Sequence, residues 1–425
     1  MRRWLVGVVS AAAVLLTLFF AVVWLLEIYP RHGSRPPLRL ARGTLAIQHA
    51  RIYTAPGAVP IEDGTILIRD GAIAEVGTEV DVPAGSAILS CNGCVVMAGF
   101  WNVHVHFSEP KWNFAQWKSE AALDPQLADM FLSRGFTTVV DLGSNPADTM
   151  ALRRRIELGE LKGPYIYTAA TGLYPPDGVP FYLRETMPAW LTGLLPQPST
   201  PDAARRAVRR NLDAGADVTK LFTGSWVERG KVKPMPVEIA RAAVDESHLN
   251  GKLVFAHPSN LEGTRIAIQS GVDILAHAAD DTRGVDAALL KSAVDKNMAM
   301  VPTLKMFAGT VTTDSHYMDP ICGEVRQFHA LGGQLLFGTD VGYMTDYSTD
   351  LEFEELGKSG LDFSTVQAML TTNPAARMGV SGSKGSIAPG KLADLTILSA
   401  DPSKDLKNFA RVQTVIRSGR VIWSR

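Results

Sequence analysis

Hydrophobic and polar positions divide the chain into two β-rich ends and a long middle in which strands alternate with helices. Short apolar segments separated by tight turns fill residues 44–97, and the same pattern returns in residues 383–425. The pair Asp70-Gly71 separates two of these segments and is preferred in two-residue hairpin turns. The pattern predicts one small β-sandwich built from both ends of the chain, with a second domain inserted between them.

The middle of the chain, residues 98–382, predicts an α/β fold. Its plainest helix spans residues 236–250, with proline at its start and glycine directly after it. Strands that alternate with helices in this way are typical of a (β/α)8 TIM barrel, in which catalytic groups lie at the carboxyl ends of the strands. The eight predicted strands are residues 100–106, 137–141, 165–169, 218–222, 253–257, 274–277, 299–303 and 334–338.

Polar side chains stand at the ends of several predicted strands. His104 and His106 are two residues apart on the first strand, so their side chains share one face. The pair alone is equally compatible with a metal site and with chance. Buried charged groups need partners, however, so the whole set predicts a metal site at the barrel mouth. This set comprises His104, His106, Lys220, His257, His277 and Asp340.

Composition removes some function classes. The 42 basic and 43 acidic residues nearly balance, and no run of Lys or Arg indicates a nucleic-acid surface. Three cysteines are too few for a disulfide framework. Cys91 and Cys94 have the spacing of a zinc knuckle but lack two further ligands nearby, so they indicate a turn around Asn92-Gly93. A local disulfide between them stays open if the domain lies in an oxidising compartment.

The amino terminus carries a membrane signal. Arg2 and Arg3 precede an uncharged apolar run from residue 4 to residue 26, long enough to span a bilayer as a helix. No small-residue cleavage pattern follows it. Residues 1–27 are therefore predicted to be an uncleaved transmembrane signal anchor, followed by a linker over residues 28–43. We expect the catalytic domain outside the cytoplasm, in the periplasm if the source is bacterial, although arginines on both sides of the helix leave its orientation open.

Several sequence motifs accompany the candidate ligands. They are GFWNVHVH at 99–106, FGTD at 337–340, TNPAAR at 372–377 and GSIAPGKLAD at 385–394, together with the strands of Lys220, His257 and His277. Together these motifs resemble the amidohydrolase superfamily, close to its imidazolonepropionase-like and Xaa-Pro or Xaa-Arg dipeptidase-like branches. The resemblance covers nearly all of the chain from residue 44 onward. One departure is Asn102, where such proteins commonly carry Asp; it is expected to point away from His104 and His106 and to affect packing beside the ligands.

This resemblance implies a hydrolase with two divalent metal ions, expected to be zinc. It implies that one ion is held by His104, His106 and Asp340, and the other by His257 and His277. It further implies that Lys220, as a carboxylated side chain, bridges both ions, an anionic form that makes sense because an ammonium beside two dications is disfavoured. A salt-bridged Lys220 and a single metal stay open as alternatives.

The implied reaction is attack of a metal-bridging hydroxide on an amide or peptide carbonyl of a small molecule, such as a dipeptide or an N-acyl amino acid. Asp340 would transfer the proton to the leaving nitrogen, and His277 would help to position the substrate. A cyclic amide, a lactone or an ester as substrate stays open. So does a metal-free, membrane-tethered scaffold, which the six intact ligands argue against. Whether the chain forms a homo-oligomer is also open.

Specificity is less well defined by the sequence. The loop after the third predicted strand, residues 172–201, is long and rich in aromatic residues and proline, as loops that wall a pocket often are. Tyr182 from this loop and Trp226 from the next are candidates to contact an apolar substrate group. Arg184 is a candidate to bind a substrate carboxylate in a bidentate contact. For each single residue, loop packing or solvation is the simpler interpretation.

Overall fold

The computed structural model describes Val14, Leu15, Thr17, residues 35–314 and residues 316–425. Most of the predicted anchor (residues 1–27) and part of the predicted linker (residues 28–43) lie outside the described residues. In the part of the chain that is described, no helix is both long enough and apolar enough to cross a bilayer. The anchor and the location outside the cytoplasm therefore stay predictions.

In the part of the chain that the structure describes, strands from both ends form one sheet of eight strands. Five come from the amino end: β1 (Thr44–Tyr53), β2 (Ile61–Arg69), β3 (Ala72–Gly77), β4 (Ala87–Ser90) and β5 (Val95–Ala98). The other three come from the carboxyl end: β16 (Leu395–Leu398), β17 (Val412–Arg417) and β18 (Arg420–Ser424). The strand order is β18-β17-β16-β5-β1-β2-β3, with β4 also paired to β1.

The prediction that both chain ends combine is confirmed, but the sheet is continuous in place of the predicted two-sheet sandwich. The difference arises at β5, which pairs in parallel with β1 on one side and antiparallel with β16 on the other. Apolar side chains from both ends pack into one hydrophobic cluster, among them Ile47, Ile66 and Leu395. The predicted hairpin turn between β2 and β3 is present, with φ of 49° at Asp70 and 84° at Gly71.

The turn between β4 and β5 contains the two cysteines. Asn92 and Gly93 adopt φ values of 46° and 92°, the left-handed conformation that the Asn-Gly pair favours. Cys91 and Cys94 are both buried, and they form a disulfide across this turn with their Cα atoms 5.2 Å apart. The turn interpretation is thereby confirmed, and the open alternative of a local disulfide is realised.

Between residues 98 and 382, the residues that the structure describes form eight parallel strands and one antiparallel hairpin. The parallel strands are β6 (Phe100–Val105), β7 (Phe136–Asp141), β8 (Tyr165–Thr168), β9 (Thr219–Phe222), β12 (Val254–His257), β13 (Ile274–Ala276), β14 (Ala299–Val301) and β15 (Gln334–Leu335). The hairpin consists of β10 (Gly224–Glu228) and β11 (Lys231–Pro234). Each parallel strand lies within its predicted segment, except that β7 begins one residue earlier.

These strands form a three-stranded sheet, β6-β7-β8, and a five-stranded sheet, β9-β12-β13-β14-β15. Within the described residues, the two sheets are not joined into one closed barrel of eight hydrogen-bonded strands. The number, direction and order of the strands agree with the barrel prediction, but closure of the barrel is not observed. Backbone hydrogen bonds nevertheless cross both gaps. Leu173 donates to Lys220 at 2.9 Å, and Val103 donates to Phe337 at 2.8 Å. Pairing is sparse there because β8 and β15 are only four and two residues long.

Helices separate the parallel strands along the chain. The predicted helix 236–250 is observed over Val237–Leu249, with Pro236 at its N-cap. Within residues 35–314 and 316–425, three short 3-10 helices occupy Pro110–Trp112, Leu132–Arg134 and Leu406–Ala410. The α-helices in these same ranges are α1 (Glu120–Met130), α2 (Pro146–Glu157), α3 (Phe181–Thr186), α4 (Ala189–Thr192), α5 (Pro201–Asp213), α6 (Val237–Leu249), α7 (Leu261–Ser270), α8 (Ala287–Asp295), α9 (Leu304–Thr310), α10 (Met318–Ala330), α11 (Asp350–Lys358), α12 (Phe363–Leu370) and α13 (Thr372–Arg377).

Residues 35–42 form neither helix nor strand, in agreement with the predicted linker. They nevertheless contact the folded domain through Arg35. The Arg35 guanidinium pairs with Glu157 at 2.6 Å, lies 3.7 Å from the centre of the Tyr165 ring, and donates to the carbonyl of Ile166. Tyr165 begins β8, so Arg35 docks at the amino end of that strand. Arg35, the first residue of the described segment 35–314, therefore lies on the face opposite to the carboxyl ends of the strands.

The carboxyl-terminal segment is held against the barrel strands by aromatic packing. Phe409, in the 3-10 helix before β17, is fully buried. Its ring centre lies 5.3 Å from that of Phe353, 5.7 Å from that of Phe363 and 5.9 Å from that of Phe100. Burial of an aromatic ring among others contributes both hydrophobic and ring–ring stabilisation.

We expect Phe409→Ala to destabilise the protein by about 3–5 kcal/mol, because it leaves a cavity among three rings. Thermal unfolding followed by circular dichroism measures the effect. Phe114→Ala is a matched control, since the Phe114 side chain is 45% exposed; it should change the midpoint little. Equal midpoints for the two variants would show that the Phe409 cluster does not hold the carboxyl-terminal segment.

Candidate metal centre

The six predicted site residues all lie at the carboxyl ends of the parallel strands. His104 and Lys220 lie on β6 and β9, and His257 is the last residue of β12. His106 and His277 directly follow β6 and β13, and Asp340 lies five residues beyond the end of β15. Carboxyl ends of parallel strands share one edge, which explains why residues far apart in sequence meet there.

Asp340 is the centre of the group. Its Oδ1 atom is 3.0 Å from Nε2 of His106 and 3.5 Å from Nε2 of His104, and its Oδ2 atom is 3.6 Å from Nε2 of His277. Ligand atoms of His104, His277 and Asp340 all lie within 4.8 Å of one another. The ring centre of His257 is 4.8 Å from that of His277. The structure thus brings three of the predicted histidines to the Asp340 carboxylate and places His257 beside one of them, His277.

The hydrogen bonds of His106 fix which ring nitrogen can act as a ligand. Its Nδ1 atom is 2.7 Å from the carbonyl oxygen of Gly143. A carbonyl oxygen can only accept, so Nδ1 carries the proton and the neutral ring presents a lone pair at Nε2. That lone pair faces the Asp340 carboxylate at 3.0 Å. Two acceptors at this distance repel each other, so either a proton or a metal cation must lie between them.

His277 is oriented in the same way by a different residue. The Thr303 hydroxyl donates to the carbonyl of Pro302 at 2.8 Å, which uses its only proton. The contact between Thr303 and Nδ1 of His277 must therefore be donated by the histidine. Nε2 of His277 is left as an acceptor, and it faces Oδ2 of Asp340 at 3.6 Å. Partners that fix the histidine tautomer in this way are characteristic of metal sites.

Other buried polar atoms at the site lack partners. Among the described residues, Nδ1 of His104, Nε2 of His257 and Oδ1 of Asp340 make no hydrogen bond. An unpaired buried polar group is costly, and such groups cluster where an ion or ligand binds. Nitrogen and carboxylate donors are the ligands that zinc prefers. The residues present therefore fit a divalent metal.

The protonation states of three of the four histidines agree with this assignment. Burial, followed by the charge of Lys220, lowers the pKa of His104 and of His257 well below the usual value. Burial and the neighbouring His257 do the same for His277. Neutral imidazole is the form that binds metal. Burial also lowers the pKa of His106, but its contacts with Asp340 outweigh burial and raise that pKa.

Lys220 is a buried lysine without a carboxylate in ion-pairing distance among the described residues. Its Nζ atom donates to the carbonyl of Ala276, the residue before His277, at 3.2 Å. Burial lowers the pKa of Lys220 to about 7, although the charge of Asp340 opposes this shift. A substantial fraction of this amine is therefore neutral and nucleophilic near neutral pH. Carboxylation of Lys220 stays a prediction.

Asp141 orients His106 indirectly, through the loop that contains Gly143. It was not among the predicted site residues. It is fully buried, and it accepts hydrogen bonds from the hydroxyls of Ser144 at 2.5 Å and Thr168 at 2.7 Å. These contacts fix the loop that carries the Gly143 carbonyl, which in turn orients His106. In the sequence, only the position of Asp141 at the end of a predicted strand could have indicated its role. Thr303 also lies at the end of a predicted strand.

Asn102 has a structural role. Its side chain donates to the Thr339 hydroxyl at 2.7 Å and accepts from the backbone N–H of His104 at 3.2 Å. Asn102 thereby joins the strand of His104 to the residue before Asp340. This placement agrees with the prediction that the departure from Asp affects packing beside the ligands.

Two of the three predicted substrate-binding residues lie near the site. The Tyr182 ring centre is 5.3 Å from that of Tyr343, which comes three residues after Asp340. The Trp226 indole donates to Asp280, which comes three residues after His277. Arg184 is exposed and donates to the carbonyl of Val227, a contact that holds its loop. Its role in binding a carboxylate stays a prediction.

Comparison with known proteins agrees with this geometry. A family model described as the amidohydrolase family matches residues 95–422. An ochratoxinase from Aspergillus niger is 23% identical over an alignment of 434 positions, gaps included, which covers 90% of this chain and 87% of that protein. A dihydroorotase from Pelotomaculum thermopropionicum is 25% identical over 409 residues, covering 82% of this chain and 87% of that protein. The chain belongs to the amidohydrolase family, and the predicted resemblance is confirmed.

Solved structures share the fold. A crystal structure of an Xaa-Pro dipeptidase with methionine bound in its active site superposes with a TM-score of 0.77 and 23% identity. The match covers 90% of this chain and all of that one. The chain therefore shares the fold of that dipeptidase.

Removal of the Thr303 hydroxyl should weaken metal binding. We expect Thr303→Val to lower zinc affinity by roughly 10- to 100-fold, because the His277 ring loses the acceptor that fixes its tautomer. Competition with a chromogenic chelator measures the affinity. Thr303→Ser keeps the hydroxyl and should bind zinc nearly as tightly as the unchanged protein. If both variants bind zinc alike, Thr303 does not orient a ligand.

Proposed function

We propose that this protein is a metal-dependent hydrolase that cleaves a carbon–nitrogen amide bond in a small molecule, such as a dipeptide or an N-acyl amino acid. The observation that carries the proposal is the orientation of His106 and His277, whose Nε2 atoms both face the Asp340 carboxylate. Membership of the amidohydrolase family supports hydrolysis. The likeness to a dipeptidase that binds methionine, itself an amino acid, supports a small amino-acid-containing substrate.

The proposed site holds two divalent ions, with zinc as the best fit to imidazole and carboxylate donors. His104, His106 and Asp340 would hold one ion, and His257 and His277 the other. Lys220, carboxylated on its neutral amine, would bridge them. When bound, such ions supply Lewis-acid polarisation of a carbonyl and make water acidic enough to react near neutral pH.

Asp340 is proposed to move the proton. Its Oδ1 atom has no hydrogen bond among the described residues and lies between two histidine nitrogens. A carboxylate in this position can accept the proton of the attacking water and deliver it to the leaving nitrogen. His277 is held rigid by Thr303 and so limits where the substrate carbonyl can lie beside Asp340.

The proposal is tested with the purified full-length chain loaded with zinc. It would be incubated with dipeptides, N-acyl amino acids, cyclic amides, lactones and esters, with and without a chelator, and the products read by mass spectrometry. Chelator-sensitive release of free amino acids is the expected result. Turnover confined to cyclic amides, lactones or esters would replace the amide proposal with that substrate class. No turnover and no bound metal would favour a scaffold.

Replacement of the proton carrier should separate metal binding from turnover. We expect Asp340→Asn to retain metal through the histidines but to lower kcat by about 10²- to 10⁴-fold, the usual contribution of general acid–base catalysis. Metal content and kcat are measured on the same sample. Asp129→Asn is a matched control, because that carboxylate is 63% exposed. A metal-replete Asp340→Asn variant with near-normal kcat would remove Asp340 from the proton transfer.

We also propose that residues 1–27 anchor the protein in a membrane, with the catalytic domain outside the cytoplasm. The uncharged apolar run of residues 4–26 supports this. Because Arg35 docks at the amino end of β8, the metal centre would face away from the point where the chain leaves the barrel. Protease protection in sealed vesicles of both orientations distinguishes the two sides.

A further inference from the structure

Asp280 lies at the same end of the barrel as the metal centre but is not one of its candidate ligands. It follows β13 and comes three residues after His277. The indole Nε1 of Trp226, on the hairpin that follows β9, donates to its Oδ2 atom. Segments that follow two different parallel strands therefore meet at this carboxylate.

One oxygen of Asp280 is left without a partner. Its Oδ1 atom is buried and makes no hydrogen bond among the described residues, and no described lysine or arginine forms an ion pair with it. The adjacent Asp281 is different, because Arg283 binds both of its oxygens at 2.7 and 2.6 Å. A shielded carboxylate without a cation is costly to maintain, whereas a cationic ligand would offset that cost.

Other groups around Asp280 are acidic or aromatic. Burial, with nearby Asp281 and Asp340 adding to the effect, raises the pKa of Asp280 to about 7. Glu324, whose carboxylate accepts from the N–H of Ala279, also interacts with Asp280 and has a pKa raised by burial to about 8. Among the described residues, the groups named here around Asp280 include none with a positive charge, so they would not repel a cationic ligand.

Two tyrosines lie near both Asp280 and Asp340. Tyr182 and Tyr343 pack with ring centres 5.3 Å apart, and both interact electrostatically with Asp280 and with Asp340. With Trp226 bonded to Asp280, the carboxylate thus has three aromatic residues in its surroundings. Aromatic faces combined with a carboxylate are well suited to an ammonium group, because the ring quadrupole attracts cations.

We infer that Asp280, with Trp226, Tyr182 and Tyr343, binds a protonated amine on the acyl side of the substrate. The inference rests on the proposed function and sharpens it: among amides, the preferred substrates carry a free amine on the acyl group, as dipeptides do and acetyl or 3-phenylpropanoyl amino acids do not. A substrate ammonium would donate to Oδ1, the oxygen that has no partner, while Trp226 holds Oδ2 in place. Asp280 is a specificity residue and takes no part in proton transfer at the scissile bond.

The test compares matched substrates that share a leaving amino acid. A phenylalanyl dipeptide and its 3-phenylpropanoyl counterpart differ only in the α-amine, and a 6-aminohexanoyl counterpart carries the amine farther away. The zinc-loaded protein is expected to show a higher kcat/KM for a substrate that carries an amine than for the 3-phenylpropanoyl substrate. Whichever of the two amine-bearing substrates is preferred identifies the position of the amine. Asp280→Asn should lower that kcat/KM by about 10- to 100-fold, chiefly through KM, and leave the 3-phenylpropanoyl substrate nearly unchanged.

Asp281→Asn is the matched control, because its carboxylate is already bound by Arg283; it should keep the preference for the amine. Equal losses on all three substrates in Asp280→Asn would overturn the amine site while leaving the hydrolase proposal intact. A second measurement does not depend on turnover. In metal-free protein, saturation-transfer NMR should detect phenylalaninamide more strongly than 3-phenylpropanamide, and Asp280→Asn should abolish the difference.

If neither hydrolysis nor metal binding is found, the proposed function fails. A retained NMR difference would in that case still support the amine site. Equal NMR signals from phenylalaninamide and 3-phenylpropanamide with the protein of unaltered sequence would overturn the amine site. Asp280 would then serve only to hold Trp226.

Discussion

The repulsion between the Asp340 carboxylate and the histidine lone pairs is the constraint on which the site depends. The Nδ1–H groups of His106 and His277 donate to the Gly143 carbonyl and to the Thr303 hydroxyl, respectively. The Nε2 atoms of both rings are therefore left as acceptors that face the Asp340 carboxylate. Such an arrangement is unfavourable unless a cation or shared protons lie at its centre. The protein holds the arrangement with hydrogen bonds from residues that do not themselves reach the centre, which is what preorganised metal sites require.

Backbone conformation contributes to this preorganisation. Asp340 and Thr303 have φ values of 56° and 50°, in the left-handed region that residues other than glycine rarely adopt. Each lies in a segment that directly follows a barrel strand, and the Asp340 N–H is bonded to the carbonyl of His104 at 2.9 Å. Surrounding structure must offset the cost of such conformations, and they occur preferentially at functional sites.

Much of the fold and most of the site could be predicted from local sequence patterns. The spacing of His104 and His106 and the position of His257 at a strand end follow from strand periodicity and from the sharing of one edge by parallel strands. Thr303 and Asp141 escaped prediction because their importance lies in which ring or loop they contact, and those contacts join segments distant in sequence. The continuous end sheet escaped for a similar reason, since the second pairing of β5, to β16, spans nearly 300 residues.

The most direct test of the central claim is to locate a bound ion by anomalous diffraction at the zinc edge, using crystals of the zinc-loaded protein. We expect an anomalous peak about 2.0–2.2 Å from an Asp340 oxygen and from histidine Nε2 atoms that face it. Histidines joined to Asp340 by protons alone, with zinc absent from the site or bound elsewhere, would contradict the metal centre and the hydrolytic function derived from it.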